Sequence, residues 1–179
     1  MDKIDIIKLA RSLIDIDSTS GQETDACKWL GNWLRDRNYQ VVEQPVSNDR
    51  FNIIATLDSS PDVVFSTHID CVPPFFASRE ENGLIYGRGA CDAKGILAAQ
   101  LAALERLRSD GEHRVALLVV VGEERGSQGA RAANTRPVGS QYLINGEPTE
   151  NKLGAATRGV YRTRLVAHGR AAHSSHPEL

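Results

Sequence analysis

A chain of 179 residues, 41% apolar and 25% charged, is long and apolar enough to close one hydrophobic core, which excludes disordered and fibrous classes. Its 21 basic residues against 23 acidic ones give a formal charge of -2 with no Lys/Arg stripe, so no nucleic-acid partner is expected. No segment is apolar enough for a membrane span, and the opening MDKIDIIKLARSLIDI alternates charge with apolar residues unlike a secretory signal; a cytoplasmic protein is expected. Cys27, Cys71 and Cys91 are odd in number and form no CxxC pair, which points to reduced thiols rather than a disulfide framework or a cysteine zinc site.

In chain order, Asp2 to Asp15 predicts an amphipathic helix with Ile4, Ile7, Ala10, Arg11 and Ile14 on one face. A second helix opens at a Ser20-Gly-Gln-Glu23 capping box and carries Ala26, Trp29, Leu30, Trp33 and Leu34 as its inward stripe. Gln40 to Val46, Phe51 to Leu57 and Val63 to Thr67 then read as strands, separated by the turn signals Asn48-Asp49 and Ser59-Ser60-Pro61-Asp62. After the loop Val72-Pro73-Pro74 come a short strand near Leu84 to Tyr86 and a helix from Ala93 to Arg108 with Leu97, Leu101 and Leu104 inward. Val115 to Val121 is an unbroken apolar run, the mark of a central strand covered on both faces. A helix at Ser127 to Asn134 and a strand at Tyr142 to Asn145 complete a three-layer α/β/α sandwich around a mixed sheet. The pattern shifts near Gly154: Gly154 to His168 alternates like a strand or hairpin, so residues 1–154 are read as one domain and 155–179 as the start of another.

Residues able to do chemistry fall just past strands, where ligands collect in open α/β sheets. In His68-Ile-Asp70 the two polar side chains share a face of an extended segment, so Asp70 can accept the imidazole N–H and turn the other nitrogen to a metal; a capped strand end with a surface histidine has the same spelling. Gly87-Arg-Gly-Ala-Cys-Asp92-Ala-Lys-Gly95 approaches a dinucleotide loop, but Asp92 stands where the third glycine belongs and would repel a pyrophosphate. Asp92 reads either as a carboxylate bridging two cations or as a helix N-cap. Glu123-Glu124 closes the apolar run; a divalent ion would justify adjacent carboxylates there, with one as ligand and its neighbour as base, while a solvated loop paired to Arg125 is the plain alternative. Glu147, in Gly-Glu-Pro, again follows a strand. One histidine and several carboxylates form the nitrogen and oxygen ligand set of a hydrolytic zinc site.

The order His68-x-Asp70, Gly-Arg-Gly-x-x-Asp92-x-Lys-Gly, Glu123-Glu124 and Gly-Glu147-Pro resembles the M20 metallopeptidase pattern over essentially the whole chain. That family includes acetylornithine deacetylases and succinyl-diaminopimelate desuccinylases, and the Gly-Arg-Gly-Ala-Cys-Asp and Gly-Glu-Pro-Thr forms resemble this branch. The resemblance implies a zinc-peptidase-like catalytic domain over 1–154 and the beginning of a lid or dimerisation domain over 155–179. It further implies zinc, or cobalt or manganese in its place. His68 and Glu147 would bind one ion and Glu124 the other, Asp92 would bridge them, and the Asp92-Ala93 peptide bond would be cis. Asp70 would orient the histidine. Glu123 would activate the bridging water and return its proton to the leaving amine. His173 resembles the lid histidine directed to the oxyanion, often from the partner in a homodimer. The expected substrates are N-acyl amino acids or small peptides.

Family members are generally much longer and supply a final histidine ligand near the C-terminus. The catalytic domain is therefore expected to be incomplete, and His176 follows a lid-type motif rather than a catalytic strand. The alternative expectation is a weakly active or inactive fragment holding one metal through His68, Asp92 and Glu147. A nucleotide-binding domain and a hydrolase using Cys91 are weaker rivals, the first opposed by Asp92 and the second lacking an activating histidine.

Overall fold

A computed structural model describes residues 4–58, 60–157, 159, 161, 163–166, 168–169, 171–173 and 175–176. Helix α1 (Ile6–Ile14) starts later than the sequence pattern predicts, because the Asp5 side chain caps it by accepting from Ile7 N at 3.1 Å and Lys8 N at 3.0 Å. Asp2 and Lys3, placed in this helix from sequence, lie outside the described residues. Its buried face is Leu9, Ala10, Leu13 and Ile14; Ile7 is exposed, since Leu9 and Leu13 together offer more apolar surface than Ile7 and Arg11. Helix α2 (Thr24–Arg35) buries Ala26, Leu30 and Leu34 as expected, with Trp29 and Trp33 packed against the margin of the core.

Strands β1 (Gln40–Ser47) and β2 (Arg50–Thr56) form a hairpin whose turn places Asn48 in the left-handed region at φ 49°. Strand β3 (Val63–His68) comes next, then a separate hairpin of β4 (Arg79–Glu81) and β5 (Leu84–Tyr86), helix α3 (Lys94–Ser109), strand β6 (Val115–Val120), helix α4 (Gln128–Thr135) and strand β7 (Tyr142–Asn145). The main sheet has the order β1-β2-β6-β3-β7. β2 runs antiparallel to β6, while β3 is parallel to both β6 and β7, so the sheet is mixed.

β6 divides the core. Val115, Leu117 and Val119 join the buried residues of α1, α2 and α3 on one face, and Ala116, Leu118 and Val120 meet Val64 and Ala133 of α4 on the other. Helices thus cover both faces, which gives the three layers expected. Of the described residues between 154 and 169 none lies in a strand, contrary to the alternation: no described strand offers them a ladder partner, and Tyr161 and Leu165 are more than nine-tenths exposed.

Because β3, β6 and β7 are mutually parallel, their carboxyl ends share one edge. His68 terminates β3, Gly122-Glu123-Glu124 follows β6, and Glu147 follows β7.

Candidate metal centre

His68 pairs in register with Val120 and is 1% exposed, so it is not a surface histidine. Its Nδ1 lies 2.9 Å from the Asp70 carbonyl oxygen. A carbonyl can only accept, so Nδ1 carries the proton and Nε2 is the nitrogen available to a ligand. Nε2 faces Asp92 Oδ1 at 2.9 Å and Glu147 Oε2 at 3.8 Å. The ligating atoms of His68, Asp92 and Glu147 all lie within 4.8 Å of one another.

The acceptor for the imidazole is the Asp70 main chain, not the carboxylate that the sequence spacing points to. The strand ends at His68, so the two-residue period no longer holds at Asp70. The carboxylate, fully buried and 3.5 Å from Nδ1, is occupied elsewhere: Oδ1 accepts from Glu123 N at 2.9 Å, and Oδ2 accepts from Ser20 Oγ at 2.7 Å and Glu124 N at 3.2 Å. Asp70 therefore spans the ends of β3 and β6.

Asp92 does not cap α3; the cap position is Ala93, with no side-chain hydrogen bond, and the Asp92-Ala93 peptide is cis. The turn before it needs Gly89, which has φ 87° and whose Cβ would stand 2.7 Å from Cys71 Sγ. Lys94, wholly buried beneath this turn, donates from Nζ to the Ile16 carbonyl at 2.6 Å. Glu147 is placed by Gly146, whose N donates to Ser66 O at 2.7 Å and whose carbonyl accepts from Thr67 Oγ1 at 2.9 Å.

Glu123 and Glu124 are half-buried on the turn after β6, and no ion pair joins either to Arg125 among the described residues. Glu124 stands outside the tight His68/Asp92/Glu147 group. His173 is exposed and engages its neighbours, with Nδ1 2.7 Å from Ser175 Oγ and its ring 6.2 Å from that of His176.

Burial alone would lower the pKa of His68, but Asp70, Glu147 and Asp92 outweigh it and raise it to about 9. Burial raises Glu124, and Asp92 adds to it; burial likewise raises Glu147, with Asp92 and Glu123 adding while His68 opposes them. For Asp70 burial is outweighed by the imidazole of His68 beside its carboxylate and by the bonds from Ser20 and Glu123, and its carboxyl is held below the ordinary value. Carboxylates that bind protons more tightly around one imidazole form a site short of positive charge. The donor set also fits a divalent cation: tetrahedral ligands at about 2.0–2.1 Å from zinc stand roughly 3.3 Å apart, and the 2.9 and 3.8 Å separations bracket that value.

Sequence reasoning misses Ser20, Glu23, Arg50 and Lys94. The Ser20-to-Glu23 spelling suits a capping box, yet helix α2 has no side-chain cap; Ser20 serves Asp70, and the fully buried Glu23 holds Arg50 through bonds of 2.8 and 2.7 Å.

Fold and site together define an α/β/α domain with a nitrogen-and-oxygen ligand cluster at the ends of its parallel strands. Comparison with known proteins narrows this. A profile of peptidase family M20/M25/M40 matches residues 64–179. An M20-domain peptidase of Schizosaccharomyces pombe is 40% identical over 182 residues, covering 97% of this chain and 46% of the relative. A probable carboxypeptidase of Aspergillus fumigatus is 37% identical over 205 residues, covering 97% and 47%. Among solved structures, an M20 metallo-carboxypeptidase of Sulfolobus solfataricus superposes with a TM-score of 0.69 at 22% identity, covering 81% of this chain and 37% of its own. The chain belongs to the M20/M25/M40 peptidase family, and it spans about half the length of the curated relatives it matches.

Proposed function

We propose that this chain carries most of the metal centre of a zinc-dependent hydrolase that cleaves the amide bond of acyl–NH–CHR–COO⁻ substrates. The observation that carries the reading is the convergence of His68, Asp92 and Glu147 at the edge shared by three parallel strands. In this reading His68, Asp92 and Glu147 would hold a first ion, and Asp92 and Glu124 would serve a second. Zinc suits the donor set, and cobalt or manganese can replace it. Such ions polarise the scissile carbonyl and lower the pKa of water. The protein's own groups do the rest. Asp70 keeps His68 and the turn after β6 in register, and Glu123 takes the proton of the attacking water and passes it to the departing amine.

A C-terminal peptide bond and an N-acyl amino acid share the same acyl–NH–CHR–COO⁻ group. The carboxypeptidase names of the relatives support small peptides, whereas the Gly-Arg-Gly-Ala-Cys-Asp and Gly-Glu-Pro-Thr forms support acetyl or succinyl amino acids. We take residues 155–179 as the start of a lid or dimerisation unit and His173 as its oxyanion-directed residue in a homodimer. The free thiols of Cys27, Cys71 and Cys91 suit a reducing, cytoplasmic setting.

The test is metal-dependent release of free amino acid from N-acetyl amino acids and dipeptides, with Glu123→Gln as control. Turnover lost by at least about 100-fold in Glu123→Gln, with metal retained, supports the assignment; equal turnover in both proteins refutes it. One observation favours a second reading. Glu124 lies outside the tight ligand group, so this length of chain can bind one ion with little turnover; metal binding without hydrolysis would establish that reading.

A further inference from the structure

The connection between α1 and α2 runs alongside the metal centre. Thr19 forms a parallel bridge with Cys71, Cys71 N donates to Ser18 O at 3.1 Å, Ser20 N donates to Cys71 O at 3.0 Å, and Ser18 Oγ donates to Ile69 O at 2.7 Å. Asp17 Oδ1 fixes the bend by accepting from Thr19 N at 2.8 Å and Thr19 Oγ1 at 2.7 Å. Lys94 Nζ ties Ile16 to the turn that carries Asp92. The Ser20 hydroxyl is thus delivered by a braced segment, and Asp70 Oδ2 receives it at 2.7 Å.

Asp70 has two sets of partners within reach of one carboxylate: the amides of Glu123 and Glu124, and His68 Nδ1, which stands 3.5 Å from Oδ1. Without the serine hydroxyl, Oδ2 would keep only the longer 3.2 Å bond from Glu124 N. A buried carboxylate short of a donor turns to the best one available, and here that is the imidazole N–H. Turning there would draw the carboxylate from the amides that set the turn after β6.

We infer that Ser20 is a positioning residue of the metal centre: its hydroxyl commits Asp70 to the Glu123–Glu124 turn, and so fixes how the ends of β3 and β6 present His68 and Glu124 to a cation. This rests on the metal-dependent reading above for its consequence, but its structural content, the link from Ser20 through Asp70 to two backbone amides, stands apart from it.

The experiment compares Ser20→Ala, Ser20→Thr, which keeps the hydroxyl, and Ser18→Ala, which removes a buried hydroxyl from the same connection without touching Asp70. Zinc affinity is measured by competition with a chromophoric chelator. Amide hydrogen exchange at Glu123 and Glu124 in the metal-free chain is read against Leu117 in the core strand. Losing a partner that orients a ligand weakens metal binding by about 10–100-fold. Ser20→Ala is expected to show that loss and faster exchange at Glu123 and Glu124 with Leu117 unchanged; Ser20→Thr restores both, and Ser18→Ala keeps zinc affinity within about tenfold of wild type. Should the alanine variant not fold, Ser20→Cys, a weaker donor of similar size, gives the same direction with a smaller loss. The inference is overturned if Ser20→Ala leaves both readouts at wild type, or if Ser18→Ala weakens zinc as much as Ser20→Ala. If the wild-type chain binds no zinc, the metal-dependent reading fails, and exchange at the two amides still decides the role of Ser20.

Discussion

Replacing Glu23 with alanine should be among the most damaging single changes outside the ligand set. The Glu23 carboxylate is fully buried and donates no proton of its own; it accepts two charge-assisted bonds, of 2.8 and 2.7 Å, from an Arg50 side chain that is 11% exposed. Removing it strands a nearly buried guanidinium with Gln128 and Ser47 as its remaining partners. Breaking a buried pair from one side costs about 3–5 kcal/mol, against about 5–15 kcal/mol for the whole stability of a domain. At about 2–4 °C per kcal/mol for a chain of this size, the melting temperature should fall by roughly 6–20 °C. Urea denaturation followed by the fluorescence of Trp29 and Trp33, both on α2, measures the loss of stability directly. The double variant Glu23→Ala/Arg50→Met should cost clearly less than the two single changes added together, because it leaves no uncompensated charge. A loss below about 1 kcal/mol for Glu23→Ala, or strict additivity in the cycle, would refute the reasoning.

Gly129→Ala should destabilise by about 1–3 kcal/mol, since the added Cβ would stand 2.4 Å from Asn52 Oδ1 and 2.5 and 2.6 Å from the Val121 backbone O and N; an unchanged thermal melt would show that α4 can shift away from β6 freely. In the metal-free chain the charged form of His68 persists to about pH 9, above its ordinary 6.5. Its stabilising contribution is therefore complete below the ordinary value and lost as the pH rises through about 9. A metal ion must displace that proton, so affinity should rise by up to about tenfold per pH unit toward pH 9 and level off above it. Calorimetry in buffers of different ionisation enthalpy checks the proton release, and a flat affinity from pH 6 to 9 would contradict it.

The main sheet is legible in the sequence because its signals are local. Val115 to Val121 is apolar at every position, and the strand ends carry the polar residues that form the site. The β4–β5 hairpin is read only in part: apolar content marks Leu84 to Tyr86 as a strand but not the charged Arg79 to Glu81, and the two-residue turn at Asn82-Gly83, with both φ values positive, is seen only in the structure. The ligand candidates are legible as residues and not as geometry. That the Asp70 carbonyl, rather than its carboxylate, takes the imidazole N–H depends on where β3 ends. Ser20 and Glu23 mislead because a capping box and a pair of buried tertiary contacts use the same letters; Arg50, 27 residues from Glu23, gives no local sign of the difference.

The central claim is tested most directly by the zinc content of the metal-reconstituted chain, with His68→Ala and Asp92→Ala beside it. The account predicts at least one tightly bound zinc per chain, lost in both variants while each remains folded. A wild-type chain that binds none, or variants that bind as much as wild type, would contradict it.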